Sequence, residues 1–294
     1  MEILTDSHAL KRWIHARRAS GGGIGFVPTM GALHAGHISL IHAARQQCAH
    51  VVTSIFVNPA QFGPNEDFAR YPRTLEADQA MLTEAGCAAL YLPEVGEIYP
   101  EGFQTRMQLP EISADLCGAV RPGHFDGVAL VVTILFNRVQ PDVAFFGLKD
   151  YQQLLLIERL VTDLAIPIRV VGVPTVREAD GLAMSSRNRY LNFVERQRAG
   201  ALFQALLAAR TARRAGERSP ETLEGVAREV LHASGIERVE YVALRAARTL
   251  RRVETVTDGE DPVMLLAVRL GTARLIDNMV LSREDGALGT IRNG

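Results

Sequence analysis

The stretch IGFVPTMGALHAGH, residues 24–37, decides the fold class because it reads as a strand, a turn and a helix start in immediate succession. Ile24 to Val27 form a continuous apolar run, which is typical of a strand covered on both faces of a parallel sheet. His37 opens a segment with helical spacing of apolar residues that extends to Cys48. A strand that leads through a tight loop into a helix is the repeating unit of α/β proteins, so the sequence predicts that class.

The same alternation of strand and helix continues to about residue 176. Each further strand candidate is a nearly continuous apolar run, at residues 51–57, 89–92, 143–146 and 168–173. Helical spacing of apolar positions falls between them, at residues 74–85, 128–137 and 151–164. Parallel strands joined by such helices make right-handed crossovers, so residues 1–176 are predicted to form a Rossmann-like doubly wound parallel sheet.

Residues 177–294 do not continue the alternation of strand and helix, and their pattern predicts a smaller C-terminal α+β domain. Helices are expected at 195–214 and at 220–235, the second capped by Ser219 with a proline in its first turn. Strands are expected at 239–244, 263–270 and 273–276, with a hairpin turn at Gly271 and Thr272. We interpret the arginines of the first helix as a solvated face, since a nucleic-acid surface should make the domain net basic.

The composition excludes several classes of protein. The 294 residues are 47% hydrophobic, which is enough to bury a core, and Lys+Arg 32 against Asp+Glu 33 leaves a net charge of −1. This balance gives no reason to expect nucleic acid or a membrane as a partner. The N-terminal residues lack a signal-peptide pattern, and Cys48, Cys87 and Cys117 are too far apart for a metal knuckle or redox pair. We expect a cytoplasmic protein.

His34 and His37 are the first candidate functional residues. They flank Gly36 at the start of the predicted helix, and their spacing places both rings on one side of its first turn. A helix N-terminus attracts anions through its N–H groups and its dipole, and Gly36 lets a ligand approach the backbone. The pattern favours a phosphate site with two imidazole donors over two histidines that only cap a helix.

Lys149 is the second candidate. Only two of the 32 basic residues are lysine, Lys11 and Lys149, and a lysine kept among arginines indicates a need for a compact ammonium group. It lies in the segment GLKDYQQ, residues 147–153, directly after a predicted strand, and Gln153 follows it by one helical turn. We interpret this segment as part of a phosphate site. The alternative is a solvated loop in which Asp150 caps the helix.

Three more segments lie where ligands bind in α/β sheets or at the domain junction. Asn58 and Gln61 follow the second predicted strand and offer amides to a small polar ligand. The turn RPGHF, residues 121–125, offers another place for an anion. The loop DGLAMSSRN, residues 180–188, combines a glycine with hydroxyl and guanidinium donors, which predicts a mobile lid over phosphates. The glycine run 21–25 precedes its strand, so it is no dinucleotide fingerprint, and the sequence contains no P-loop motif.

Seven motifs occur in a fixed order along nearly the whole chain. They read PTMGALHAGH (28–37), SIFVNPAQF (54–62), YPRT (71–74), RPGHFDGV (121–128), FNRVQPDVAFFGLKDYQQ (136–153), DGLAMSSRN (180–188) and GTARLIDN (271–278). Together they resemble the motifs of the pantoate–β-alanine ligases, a family within the HIGH-type nucleotidylyltransferase superfamily. One such match would be weak, but seven in order are specific.

The resemblance implies a cytoplasmic, homodimeric ligase of the biosynthesis of pantothenate, the precursor of coenzyme A. Pantoate and Mg-ATP would give pantoyl adenylate and pyrophosphate. The amine of β-alanine would then attack the acyl carbon and release AMP and pantothenate. ATP is thus implied as a substrate and Mg²⁺ as a cofactor, whose ligands the sequence does not identify.

The resemblance also implies which residues form the site. The catalytic candidates are His34, His37 and Lys149, with His37 the proton donor of the family. Gln61 and Gln153 would bind pantoate, and Gln61 would border the β-alanine site. The ATP contacts would be Met30, Gly31, Ala32, Leu33, His34, Ala35, Gly36, His37, Gly147, Leu148, Lys149, Asp150, Val176, Met184, Ser185, Ser186 and Arg187. We expect His37 to stabilise phosphate charge and not to act as an acid, because pyrophosphate is a good leaving group.

The chain departs from the family pattern at two places. Leu148 stands where relatives often carry an acidic or polar residue, which allows a backbone contact there but no side-chain role. Residues 245–254 match poorly, far from the motifs of the site.

Two other functions are weighed against the ligase. A nucleotidylyltransferase that stops after nucleotidyl transfer is disfavoured by the two glutamines of the expected acid site. A regulatory nucleotide-binding module without catalysis is disfavoured by the two histidines, the lysine and Ser186.

Overall fold

The structure is a computed structural model that describes residues 1–64, 66–257, 259 and 261–282. The described residues form two compact units: residues 1–148 with 156–173, and residues 149–155 with 174–282. The assignment of nucleotide and pantoate binding to residues 1–176 and of a lid to residues 177–294 stays a prediction. The last part of the second range, after Ser282, lies outside the described residues.

The first unit is built on a parallel sheet of six strands. In chain order they are β1 (Glu2–Leu4), β2 (Ile24–Thr29), β3 (His50–Ile55), β4 (Ala89–Tyr91), β5 (Val143–Gly147) and β6 (Arg169–Val173). Their order in space is β1-β4-β3-β2-β5-β6, and every neighbouring pair is parallel. The order reverses between β2 and β5, and α/β sheets bind ligands at the carboxyl ends of strands at such a switch point. The predicted doubly wound α/β fold is confirmed.

Helices connect these strands. They are α1 (Ser7–Ala19), α2 (Ala35–Arg45), α3 (Leu75–Glu84), the short α4 (Val95–Ile98), α5 (Pro110–Ser113) and α6 (Cys117–Val120), then α7 (His124–Val139) and α8 (Tyr151–Asp163). The long helices α1, α2 and α7 bury apolar residues. Phe26 of β2 and Phe136 of α7 are fully buried and meet edge to face, with ring centroids 6.4 Å apart. This packing fixes β2, the strand that leads into the HAGH segment, within the core of the unit.

Two elements of the first unit differ from the sequence prediction. β1 was not expected, because three residues are too short to show a period. Helix α7 begins at His124, earlier than the predicted residue 128. The prediction began the helix too late because Gly127 lies in its first turn and lowers the helix propensity there. A Cβ at Gly127 would lie 2.2 Å from the carbonyl oxygen of Ala60, so this glycine lets the helix approach the segment that carries Gln61.

The second unit packs helices on an antiparallel sheet. Its strands are β7 (Arg238–Ala246), β8 (Pro262–Leu270) and β9 (Ala273–Val280), and its helices are α9 (Phe193–Ala199), α10 (Ala201–Arg214) and α11 (Pro220–Ala233). The predicted hairpin turn is confirmed, with φ of +54° at Gly271. Ser219 caps α11 as predicted and accepts the N–H of Thr222 at 3.3 Å. No helix among the described residues is long and apolar enough to cross a membrane.

The single helix predicted for residues 195–214 is wrong, because the structure has two helices that meet at Gly200. Asp180 lies against this glycine, and a Cβ at residue 200 would lie 3.1 Å from its carboxylate. Asp180 is held there by Arg196 of α9, with 2.5 Å between Nη1 and Oδ2. A glycine at the junction of the two helices thus leaves room for Asp180, and helical periodicity does not show this contact.

Glu158 of α8 is a partly buried carboxyl group that is not among the candidate site residues. Burial raises its pKa to about 7 from the ordinary value of 4.5. Between pH 4.5 and about 7, the folded protein keeps a proton that the unfolded chain releases. The free energy of unfolding therefore falls as the pH rises through this range, and it stays lower at higher pH.

We expect Glu158→Gln to be more stable than wild type above about pH 7, by ~1–2 kcal/mol after allowance for partial exposure of the side chain. The advantage should disappear near the ordinary pKa of a glutamate. Urea unfolding at about pH 5 and about pH 8 measures both values. Glu229→Gln, at an exposed position of α11, is the matched control. Equal stability of Glu158→Gln and wild type at the higher pH would contradict the prediction.

Candidate active site

The loop between β2 and α2 has an unusual backbone. Gly31 and Ala32 have φ of +79° and +51°, so two successive residues lie in the left-handed region. Glycine tolerates this conformation, and a Cβ at Gly31 would also lie only 3.1 Å from Asp78 and from Ile55. Ala32 carries a side chain, so the conformation costs free energy there unless the surroundings hold it. The shape of the loop is therefore imposed by tertiary contacts.

Asp78 of α3 provides those contacts. Its two carboxylate oxygens accept the N–H groups of Ala32 and Leu33, each at 2.9 Å, and Oδ1 also accepts the Thr74 hydroxyl at 3.0 Å. Asp78 is buried at 2% exposure. Successive N–H groups of this kind form an anion nest, and here a carboxylate of the chain fills it. Any ATP contact of Ala32 or Leu33 would therefore have to use other atoms, and Asp78 holds the shape of this loop in a way that the sequence analysis missed.

His34 and His37 cap α2 with their rings side by side. Nδ1 of His34 accepts the N–H of Gly36 at 3.2 Å, and Nδ1 of His37 accepts the N–H of His34 at 3.3 Å. The ring centroids are 4.1 Å apart, as the spacing predicted. Because both Nδ1 atoms are acceptors, the neutral rings carry their protons on Nε2. Capping by Nδ1 is thus compatible with donation of Nε2–H to a phosphate.

The amide of Gln61 is oriented by a chain of hydrogen bonds that we call the amide relay, made of Tyr99, Asn58 and Gln61. Tyr99 donates its hydroxyl hydrogen to Asn58 Oδ1 at 2.7 Å, and Asn58 Nδ2 donates to Gln61 Oε1 at 3.0 Å. Burial raises the pKa of Tyr99 to about 12, so its hydroxyl is a donor near neutral pH. Gln61 presents its Nε2 group, which lies 3.1 Å from the sulfur of Met30.

The RPGHF turn has a different role from the anion site predicted for it. Arg121 pairs with Glu66 through Nε at 2.6 Å and Nη2 at 2.5 Å, and its Nη1 lies 2.9 Å from His124 Nε2. Burial acts to raise the pKa of Glu66, but the hydrogen bonds and charge of Arg121 outweigh it and the pKa is lowered. Nδ1 of His124 lies 2.9 Å from the carbonyl oxygen of Gln61. The guanidinium charge of Arg121 is thus paired with a carboxylate of the protein, and the turn holds the backbone of Gln61 through His124.

Lys149 lies in a 3-10 turn, Leu148–Asp150, that follows β5. Its ammonium is 3.5 Å from the Asp150 carboxylate, which is 45% exposed, so the pair is long and solvent weakens it. Leu148 is buried at 3% exposure, which favours the backbone contact predicted for it over a side-chain role. Gln153 follows one turn later in α8 and is partly buried.

The segment predicted as a lid forms a hairpin and a 3-10 turn within the second unit. Met184 donates its N–H to the carbonyl oxygen of Val176 at 3.0 Å, which joins two of the expected ATP contacts. Ser185 Oγ accepts the N–H of Arg187 at 3.3 Å, and Ser186 is buried at 7% exposure. A lid motion would have to carry the hairpin as one body, and mobility of this loop stays a prediction.

These elements define the kind of site that the fold carries. The first unit places Met30, His34, His37 and Gln61 beyond the carboxyl ends of β2 and β3. A helix N-terminus with imidazole donors at such a position is typical of α/β enzymes that act on phosphorylated substrates. In the part of the chain that the structure describes, no group of three or more His, Cys, Asp or Glu could hold a metal ion.

The chain belongs to the pantoate–β-alanine ligase family, since the family model described as Pantoate-beta-alanine ligase matches residues 2–280. It is 53% identical to the pantothenate synthetase of Magnetococcus marinus over 287 residues, which cover 97% of each chain. It is 50% identical to the pantothenate synthetase of Chromohalobacter salexigens, over 96% of this chain and 99% of the relative. The protein is thus an enzyme that condenses pantoate with β-alanine using ATP.

Solved structures of the family have the same fold. Pantothenate synthetase from Thermus thermophilus matches with a TM-score of 0.89 and 48% identity, over 96% of this chain and 99% of that one. Pantoate-beta-alanine ligase from Francisella tularensis, complexed with beta-gamma ATP and beta-alanine, matches with a TM-score of 0.78 and 33% identity, over 97% and 99%. Family membership excludes the two alternatives, a transferase that stops after nucleotidyl transfer and a module without catalysis.

Proposed function

We propose that the enzyme makes pantothenate through a pantoyl-adenylate intermediate. In the first step a carboxylate oxygen of pantoate attacks the α-phosphorus of ATP, and the bond to pyrophosphate breaks. In the second step the amine of β-alanine attacks the acyl carbon, AMP leaves, and the nitrogen loses a proton. The observation that carries this proposal is the pair of histidines at the start of α2, His34 and His37, whose Nδ1 atoms each accept a backbone N–H. Both steps need positioning and charge stabilisation more than a protein nucleophile.

The roles of the site residues follow from their chemistry and from the resemblance. His34 and His37 donate to phosphate oxygens, and Lys149 supplies a point charge. The other proposed ATP contacts lie at residues 30–37, 147–150, 176 and 184–187. The Francisella tularensis relative, with its bound ATP analogue and β-alanine, supports both compounds as substrates.

We propose that magnesium enters as Mg-ATP. The described residues offer no cluster of three carboxylate, histidine or cysteine ligands, and Mg²⁺ commonly keeps several waters and takes most other ligands from substrate phosphates. The homodimer and the cytoplasmic location are proposals that rest on the family resemblance.

The adenylate route is tested by exchange of labelled pyrophosphate into ATP with a panel of carboxylic acids. We expect exchange that depends on pantoate and does not need β-alanine, because the first step is complete without the amine. Exchange that proceeds equally without any acid, or only after β-alanine is added, would exclude the proposed intermediate.

We expect Gln61→Ala and Gln153→Ala to raise the KM for pantoate more than the KM for ATP. Each change leaves polar groups of the small acid without a partner, which costs ~1–3 kcal/mol and so roughly 5- to 150-fold. Steady-state kinetics with each substrate varied in turn separates the two constants. Gln204→Ala, at an exposed position of α10, is the control. A larger rise in the KM for ATP would contradict the assignment.

A further inference from the structure

β9 carries two adjacent polar residues, Asp277 and Asn278, to which the proposed mechanism gives no role. They belong to the motif GTARLIDN and are buried at 2% and 8% exposure. Polar side chains are kept in a buried strand only where hydrogen bonds compensate for the lost water. The partners of both residues lie in segments that we propose to bind ATP.

Asp277 holds the hairpin that begins at Val176. Its carboxylate pairs with Arg177 at two points, with 2.6 Å between Nη1 and Oδ2 and 3.0 Å between Nη2 and Oδ1. Arg177 Nη1 also donates to the carbonyl oxygen of Gly181 at 3.0 Å, and its guanidinium lies 4.2 Å from the ring centroid of Phe203. One buried carboxylate thus fixes both the start and the turn of the hairpin.

Asn278 holds the segment that carries Lys149. Its Nδ2 donates to the main-chain carbonyl oxygen of Lys149 at 2.8 Å. The Tyr151 hydroxyl anchors the same segment by donating to the carbonyl oxygen of Ala247 at 3.0 Å. Burial raises the pKa of Asp277, and the positive charges of Arg177 and Lys149 act in the opposite direction.

We propose that Asp277 and Asn278 are positioning residues that hold Lys149 and the Val176–Arg187 segment in a fixed relation for the phosphates of ATP. The two residues are consecutive in a strand that pairs with β8 from Ala273 to Val280, so their spacing is rigid. Catalytic groups lose large factors in rate when they shift by about 1 Å. The inference rests on the proposed function of Lys149 and of the hairpin.

We expect Asn278→Ala to lower pantoate-dependent pyrophosphate exchange on the order of tenfold, the effect of one lost hydrogen bond to a catalytic segment. The loss should fall on kcat and on the KM for ATP, and the KM for pantoate should stay unchanged. Asp277→Asn should act in the same direction, and the Asn278 variants carry the test alone if that protein does not fold.

A double-mutant cycle separates positioning from simple support of the fold. If Asn278 acts through Lys149, Asn278→Ala should have little further effect in the Lys149→Ala background. The control is Glu240→Gln, which weakens ion pairs with Arg269 and Arg274 in the same sheet but touches neither segment. It should leave both KM values and kcat unchanged.

The outcomes are distinguishable. Equal losses from Asn278→Ala in both backgrounds, or the same kinetic losses in Glu240→Gln, would overturn the positioning role. Loss of exchange in Lys149→Ala with wild-type exchange in Asn278→Ala would overturn this inference alone. Wild-type exchange in Lys149→Ala would overturn the proposed function of Lys149, and the inference with it.

Discussion

Replacing Lys149 with alanine is expected to lower pantoate-dependent pyrophosphate exchange by ~10²-fold or more, the loss typical of one preorganised charge stabiliser. The contact of the ammonium with Asp150 is long and weakened by solvent, so we expect its charge to act mainly on the ligand. Folding should survive, because the side chain is partly exposed and is not a member of the buried hydrophobic clusters described for residues 27–173 and 182–281. The measurement is exchange with purified protein whose unfolding transition matches wild type.

Two further variants make this test specific. Lys149→Arg keeps the charge and changes its shape, so we expect it to recover only part of the loss. Lys11→Ala, which removes the other lysine at an exposed position of α1, should be indistinguishable from wild type. We expect His37→Ala to show a loss of the same order, since its Nε2–H is proposed to donate to phosphate. Near-normal exchange in either Lys149→Ala or His37→Ala would defeat the assignment of that residue.

Replacing Asp78 with alanine is expected to affect stability and catalysis together. The N–H groups of Ala32 and Leu33 would lose their acceptors, at about 1–3 kcal/mol each for buried groups. The left-handed conformation of Ala32 would lose its support, and the loop would relax away from the histidines. We therefore expect a free energy of unfolding lower by ~2–5 kcal/mol and exchange lower by ~10²-fold.

Urea unfolding measures the effect of Asp78→Ala on stability. Pantoate-dependent pyrophosphate exchange, at urea concentrations below the unfolding transition, measures its effect on catalysis. Asp78→Asn keeps one acceptor and should fall between alanine and wild type. Asp163→Ala, which removes an exposed carboxylate paired with Arg159 at the end of α8, controls for the loss of a charge. The interpretation fails if Asp78→Ala unfolds at the same urea concentration as wild type.

The fold could be predicted from sequence because its strands are continuous apolar runs separated by helical periods. The prediction failed where tertiary contact overrides local preference. Gly127 lies within α7 where the helix approaches Ala60, and α9 ends at Gly200, beside which Asp180 lies. Neither contact leaves a local sign in the sequence.

The site could be predicted in part. His34, His37 and Gln61 follow predicted strands, where the ends of a parallel sheet bind ligands. Asp78 was missed, although it precedes the buried Leu82 by one helical turn and so stands on the inner face of α3, where a charged residue calls for a partner. The pair of Arg177 and Asp277 joins residues that are 100 positions apart in the sequence. Helix and strand periodicity cannot predict a contact over that separation.

We expect the amide relay to let the protein select ligands by hydrogen-bond polarity and not by size alone. Asn58 cannot reverse its amide, because Oδ1 also accepts the N–H of Ala60 at 3.2 Å and Nδ2 also donates to the carbonyl oxygen of Gly127 at 3.0 Å. Asn58 thereby orients the amide of Gln61, whose Nε2 group we propose to donate hydrogen bonds to the ligand. A ligand with an oxygen acceptor at this place is matched, whereas an analogue with an ammonium group there would set donor against donor and be rejected.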